Sequence, residues 1–424
     1  MKLPEGWHNK LLGDLFTKIV VGYVGNVNDH YCDAAIGVPF YRTLNIRDGY
    51  FRHDDIRYVT PEFNDKNKKS QIENDDILIA RVGANLGMVC KATGLNRTSN
   101  MANAIIIKSK SAKNSDPDFY TYFLLSTYGK SQIYAGAAGG AQGVFNTKLT
   151  QEIAVPVPPL AEQKKIAQIL SAWDKAISVT EKLLTNSQYQ KKALMQQLLT
   201  GKKRLQDDNG VRFSGKWNSC LVSDYFDVGS SKRVLQENWQ TEGVPFLRTR
   251  ELVSLSRNEP FRSEIFISDE LFFEISQKYQ TPKPGDFLVS GVGTLGIHYQ
   301  VKSGDKFYFK DGNVLWFKLK DGIDSDYFKY CFQSDFIQDQ IKAQASITTV
   351  GTYTIQNAKK TKFLCPPTFA EQQKIATVLS VADAEISTLE KKLVCLKDEK
   401  KALMQQLLTG KLRVKVEAEE AVSA

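Results

Sequence analysis

The sequence predicts a mixed α/β fold of two globular domains joined by two long antiparallel helices, with the pseudo-twofold symmetry of an internal repeat. Three observations carry that expectation. A segment occurs twice: Glu162-Gln163-Lys164-Lys165-Ile166-Ala167 returns as Glu371-Gln372-Gln373-Lys374-Ile375-Ala376, and both copies end in the same twelve residues, Lys191 to Lys202 and Lys400 to Lys411. The spacing far exceeds the roughly 20 to 50 residues of a solenoid repeat, so the unit that is duplicated is a domain plus a helix. Shorter matches lie upstream of each copy, and both copies carry apolar residues at heptad spacing.

In chain order, the first domain spans residues 1–158. Trp7 and Asp14-Leu15-Phe16 have partners in Trp217 and Asp224-Tyr225-Phe226. Val38-Pro39-Phe40-Tyr41-Arg42-Thr43 answers Val244-Pro245-Phe246-Leu247-Arg248-Thr249. Asp76-Ile77-Leu78-Ile79, running on to Gly83 and Gly87, answers Asp286-Phe287-Leu288-Val289 with Gly293 and Gly296. Ile77 to Ala80, Met88 to Lys91 and Ala104 to Lys108 are short β-rich runs bounded by Gly and polar residues. Asp116 to Ser126 has helical spacing. Between the matching points the halves differ freely.

The first long helix is expected from Ala161 to Leu199, within a spacer at 159–205. Pro158-Pro159 precedes it, and Gly201 stands where a left-handed C-cap belongs. Ile166, Leu170, Trp173, Ile177, Leu184, Leu194 and Leu198 keep a heptad register that Thr180, Ser187 and Lys191 interrupt. The second domain covers 206–366. The second helix, Ala370 to Leu408 within 367–414, follows Pro366-Pro367 and ends near Gly410. Its seam runs from Ile375 to Leu407, broken by Lys400. Each helix would extend roughly 60 Å at about 1.5 Å per residue. Two seams separated by a whole domain favour antiparallel pairing over two helices packed separately. The tail, 415–424, is Glu- and Ala-rich and expected to be disordered.

Composition narrows the function class. At 424 residues, with 42% hydrophobic and 24% charged residues, the chain has the make-up of a globular protein of two or three domains. The start shows no apolar leader and no run approaches a membrane span, which points to a cytoplasmic protein without a membrane partner. Six scattered cysteines without a CxxC and four histidines make neither a zinc site nor a disulfide framework. A net charge of +9 suits a polyanionic partner.

Catalytic signatures are missing. Gly291-Val292-Gly293-Thr294-Leu295-Gly296 fits GxGxxG, but strand-like Ile297 to Val301 follows where a dinucleotide site needs a helix. A Gly-rich β-hairpin is expected instead. Gly129-Lys130-Ser131 has Leu124 where a P-loop needs Gly. The Pro-Pro pairs lack the Asn/Asp-Pro-Pro-Tyr/Phe order of amino-methyltransferases.

Pro-Pro, Ala161-Glu162-Gln163 or Ala370-Glu371-Gln372, a heptad helix and Gln197-Leu198-Leu199-Thr200-Gly201-Lys202 together resemble the conserved regions of type I restriction-modification specificity subunits. Leu3-Pro4-Glu5-Gly6-Trp7 with Leu12-Gly13-Asp14-Leu15, and the hairpins after Asp76 and Asp286, are similar to that family as well. Phe213-Ser214-Gly215-Lys216-Trp217 departs from it by lacking Pro-Glu. The resemblance covers nearly the whole chain. It implies two target-recognition domains, each reading half of a bipartite site in double-stranded DNA. It also implies a helical ruler and no chemistry or bound cofactor in this chain. Two methyltransferase subunits would bring S-adenosylmethionine, and through them restriction subunits would bring ATP and Mg. A self-contained methyltransferase or nuclease, or a coiled-coil scaffold without a DNA role, are the competing classes.

Base readers must sit on loops, with Arg suited to guanine and Asn or Gln to adenine. Arg42, Thr43 and Asn45, with Arg248, Thr249 and Arg250, form one set. Hairpin-tip residues Arg81, Asn85, Ser290 and Thr294 form a second, where Gly permits close backbone approach. Gln142, Asn146 and Lys148, with Thr352 and Tyr353, form a third.

Overall fold

The computed structural model describes residues 3–138, 144–257, 259, 263–345 and 351–416. The chain forms two compact units, one of residues 1–181 with 391–424, the other of residues 182–390.

In the first unit, the strands Ile19–Val21, Ala104–Ile107, Ile77–Ala80 and Val89–Lys91 make an antiparallel sheet in that order. Its central strands read Ile-Leu-Ile-Ala and Ala-Ile-Ile-Ile, apolar at every position because both faces are buried. A second sheet runs Arg57–Val59, Val38–Tyr41, Ser99–Met101, Gln71–Ile72, with Val38–Tyr41 parallel to Ser99–Met101. Helix Pro117–Leu125 starts where the Asp116 carboxylate accepts the Phe119 N–H, with Pro at its first turn. It buries Phe119, Tyr120, Phe123 and Leu124 against Trp7, Leu15, Ile166 and Leu407.

The second unit repeats the topology. Phe226–Gly229, Val314–Leu319, Phe287–Ser290 and His298–Gln300 form the antiparallel sheet in the same order. Val244–Leu247 lies parallel to Tyr308–Phe309. Helix Ser325–Gln333, capped by Asp324, packs Tyr327, Phe328 and Phe332 against Leu198, Ile375 and Leu379. The GxGxxG stretch is the tip of the hairpin between Phe287–Ser290 and His298–Gln300, as the strand-like run after it required.

The long helices are Leu160–Leu198 and Phe369–Leu407, each 39 residues. Within the first unit, Glu162, Asp174 and Glu181 pair with Arg413, Lys400 and Lys397. Numbers climb on one segment as they fall on the other, so the segments run antiparallel. Within the second unit, Ser187, Lys191 and Arg204 meet Glu385, Asp383 and Glu371, again in opposite order. Two of the three polar residues expected to interrupt the heptad register of the first helix are buried. Thr180 and Ser187 are buried at 4% and 8% exposure, with their hydroxyls bonded to Ala176 O and Glu385 Oε1. A small hydroxyl side chain is tolerated there because an acceptor lies within reach, on the same helix for Thr180 and on the other for Ser187.

The repeated Glu-Gln dipeptides fasten helices to domains. In the first unit, Glu162 accepts from Trp7 Nε1 (3.2 Å) and from Arg413, while Gln163 Oε1 accepts the Asp116 N–H (2.8 Å). In the second, Glu371 takes Arg204 Nε at 2.6 Å, and Gln372 Oε1 accepts the Asp324 N–H at 2.7 Å. Gly410 and Gly201, at φ +71° and +70°, end the helices against Trp7 and Trp217.

Candidate nucleic-acid interface

In the first unit, strand Val38–Tyr41 leads into the short turn Thr43–Asn45. Asn45 is fully buried. Its Oδ1 accepts the Arg42 N–H (2.9 Å), and its Nδ2 donates to Asp54 O (2.9 Å) and Arg52 O (3.3 Å). This fixes Arg42, whose Nη2 reaches the carbonyl and the carboxylate of Asp55 at 2.9 and 2.8 Å. Its Nε is buried without a partner. Asn85, on the hairpin tip, donates to Thr43 O at 3.2 Å. Arg81 donates to Asn103 Oδ1 and Phe145 O, and its own carbonyl accepts the Phe145 N–H. The next residue, Asn146, is the N-cap of Thr147–Gln151, which carries exposed Lys148. Hydrogen bonds thus gather Arg42, Thr43, Arg81, Asn85 and Asn146 at one group of loops. Gln142 lies outside the described residues.

The second unit builds the same place with other side chains. After Val244–Leu247, buried Glu251 takes the position of Asn45 and accepts the Arg248 N–H at 3.0 Å. Arg248 and Arg250 share Glu251 and Glu264, with closest distances of 2.7 Å from Arg248 to Glu251 and 2.8 Å from Arg250 to Glu264. Burial works against ionisation of Glu251, yet the Arg248 guanidinium and backbone N–H donors hold its carboxyl below the usual range. The neighbouring Thr249 Oγ1 is buried without a partner. Thr294 is exposed on the hairpin tip. Val292 bridges Thr352, and the Tyr353 N–H donates to Gly291 O at 2.9 Å, matching Phe145 on Arg81. Where the first unit has the Arg81 side chain, the second has Gly291, whose added Cβ would meet Tyr353 O at 2.9 Å.

Three residues expected to face a ligand are turned inward. Asn45 caps its turn. Ser290 is fully buried with its Oγ on Thr294 O at 2.5 Å, and Tyr353 is 1% exposed with its hydroxyl on Thr361 at 2.7 Å. Their polar atoms shape the loops from below. Exposed cations at the same strand end, Lys232 and Arg233, were not anticipated; their only sequence signal is a Lys-Arg pair inside a region where the halves diverge.

Among the described residues, no group of three or more His, Cys, Asp and Glu is placed to hold a metal ion, and no helix is long and apolar enough to cross a membrane.

The duplicated architecture has a match. The type I restriction modification DNA specificity domain fits residues 4–186 and again residues 215–396. The chain belongs to this family. Among relatives of this specificity-domain chain, the type I restriction enzyme MjaVIII specificity subunit of Methanocaldococcus jannaschii is 24% identical over 432 residues, covering 98% of this chain and 95% of the relative. The type I restriction enzyme EcoBI specificity subunit of Escherichia coli is 24% identical over 200 residues, 46% of this chain and 41% of that one. The crystal structure of a type I restriction-modification S subunit from M. genitalium shares its fold, with a TM-score of 0.58 at 14% identity over 96% of this chain and 98% of that one.

Proposed function

We propose that this chain is the sequence-specificity subunit of a type I restriction-modification complex and does no chemistry itself. Each target-recognition domain, residues 1–158 and 206–366, reads one half of a bipartite site in double-stranded DNA. The observation that carries this reading is the repeated loop platform. Asn45 and Glu251, and Phe145 and Tyr353, hold equivalent loops in the same way; Arg42 and Thr43 recur as Arg248 and Thr249, while the hairpin residues Arg81 and Asn85 give way to Gly291 and Leu295. A shared scaffold with divergent polar tips suits one scaffold reading two unlike half-sites. The contact set favoured by exposure is Arg42, Thr43, Arg81, Asn85, Asn146 and Lys148 in the first domain, with Arg248, Thr249, Arg250, Thr294 and Thr352 in the second.

The long helices within 159–205 and 367–414 pair as an antiparallel coiled coil and act as a ruler. The antiparallel ion pairs within each unit support this. They also dock two methyltransferase subunits. Lys192 and Gln196 are exposed beside a groove of about 560 Å³, and they recur as exposed Lys401 and Gln405. A surface kept twice suits one partner bound twice. Those partners carry S-adenosylmethionine, and restriction subunits joined through them carry ATP and Mg. The complex works in the cytoplasm.

Mapping methylated adenines in cells carrying the complete system tests the reading. A bipartite asymmetric motif is expected. Transfer of a labelled methyl group to DNA by the purified chain alone would assign it instead to the self-contained enzymes. A chain with no salt-dependent DNA binding would be a scaffold.

A further inference from the structure

In the second unit the chain leaves strand Phe226–Gly229 through Ser230, Ser231, Lys232 and Arg233. Ser231 Oγ donates to Phe309 O and the Lys232 N–H to Tyr308 Oη, both at 2.8 Å. Phe309 pairs in parallel with Leu247, and the Lys310 N–H donates to Leu247 O at 2.8 Å. Lys232 therefore departs from the strand end that also launches Arg248 and Arg250. The last turns of helix Asp269–Tyr279 lie opposite, packed through Ile275 in one cluster with Val234. Between them is a cleft of about 190 Å³ lined by Lys232, Arg233, Asn238, Glu274, Lys278 and Tyr279.

The charges in this cleft are unbalanced. The ammonium groups of Lys232 and Lys278 stand 5.1 and 5.5 Å from the Tyr279 ring centroid. None of the three cations joins an ion pair among the described residues of the second unit, whereas Arg248, Arg250 and Lys306 nearby each do. Glu274 also lines the cleft and pairs with none of them. The last turn of a helix favours one cation, which accounts for Lys278 but not for Lys232 and Arg233. Gathering like charges opposes folding unless an anion meets them. Among the described residues of the first unit, no such cluster lies on the connection that leaves the matching strand. Ala102 donates there to Tyr41 O in the place of Lys310, and the connection Gly22-Tyr23-Val24-Gly25-Asn26 carries no cation.

We propose that Lys232, Arg233 and Lys278, set around Tyr279, form a cleft for DNA backbone phosphates flanking the half-site read by the second domain, so that the two domains grip the duplex unequally. This rests on the reading of the chain as a DNA-binding subunit. Each phosphate neutralised by a cation releases condensed counterions, so the cleft adds salt dependence without sequence preference.

The test measures binding of the full-length chain to a long mixed-sequence duplex over a range of salt. Lys232→Ala/Arg233→Ala/Lys278→Ala is expected to lower the slope of log affinity against log salt by about two to three. Without DNA it should melt at or above the wild-type temperature. Lys10→Ala/Lys69→Ala/Lys113→Ala removes the same net charge from exposed sites of the first unit and should change the slope by less than about one. Equal effects of the two triples, or an unchanged slope in the cleft triple, overturn the cleft. If the cleft triple melts well below wild type, Lys278→Gln alone decides, with an expected slope loss of about one. A wild-type chain with no salt-dependent binding overturns the DNA reading itself, a result distinct from failure of the cleft.

Discussion

Lys400 donates to Asp174 at 2.5 Å, and Asp174 also accepts the Tyr122 hydroxyl at 2.7 Å. The second unit repeats the triad, with Lys191 on Asp383 at 2.5 Å and the Tyr330 hydroxyl on Asp383 at 2.8 Å. Burial, then the neighbouring carboxylate, lifts both phenols above the ordinary tyrosine range, so each remains a donor at neutral pH. A double-mutant cycle of Asp174→Asn and Lys400→Met should give a coupling of about 1 kcal/mol, small because Asp174 is 45% exposed. The Asp383→Asn and Lys191→Met cycle should match it. Denaturant unfolding of the four-variant sets checks both, and a null coupling in either would leave those pairs as surface decoration.

Arg250→Ala should weaken or relax the half-site read by the second domain. The cost is about 1–3 kcal/mol if Arg250 reads a base. If it touches phosphate instead, affinity falls across all sequences and the salt slope drops by about one. Arg250 must first exchange Glu264, its partner at 2.8 Å, for DNA. Glu264→Gln should therefore tighten binding, as read by fluorescence anisotropy.

Four residues inserted between Thr180 and Tyr189 lengthen a helix by about 6 Å. The spacing between half-sites should shift or recognition should disappear, while each half-site sequence stays the same. Unaltered spacing in methylation maps would contradict a ruler.

Replacing Gly210 to Phe363 with the second domain of another family member should change one half-site only. Methylation maps in which both halves change would show that the domains do not read independently.

His298 sits between Phe287 and Phe332, with ring centroids 6.2 and 5.0 Å away. Burial, reinforced by the Lys329 charge, brings its pKa down to about 4 from the ordinary 6.5. The unfolded chain takes up a proton near pH 6.5 that the folded chain refuses. Stability is therefore full above that pH and falls as pH drops through the window from about 6.5 to about 4. Thermal melts at pH 7 and pH 5 should show the loss, and His298→Gln should reduce it.

Much of this fold is legible in the sequence because the chain is its own alignment. Many of the residues kept in both copies hold the scaffold, and so the helices, the paired hairpins and the Gly201 and Gly410 caps follow from the repeat. The partners do not follow. Nothing local to Glu162 indicates that it meets Arg413, since that pairing depends on a chain reversal far away in sequence. Thr180 and Ser187 read as breaks in the seam because hydropathy ignores a hydroxyl bonded to a nearby carbonyl or carboxylate. At the loops, residue type suggests Asn45, Ser290 and Tyr353 as readers, but a side chain good at recognising a base is equally good at capping a turn. Only burial separates the two uses.

The division of the chain between its units also sets an order of assembly. Residues 182–390 are contiguous, so the second unit has all its parts once Glu390 leaves the ribosome. The first unit begins to emerge earlier, yet Trp7 and Glu162 wait for Gly410 and Arg413. At about 5–20 residues per second, the half synthesised first is the half completed last. A premature stop shortly after Glu390 would therefore spare the later half and leave the earlier one open, exposing Leu15, Phe119 and Ile166 where Leu407 and Leu408 belong.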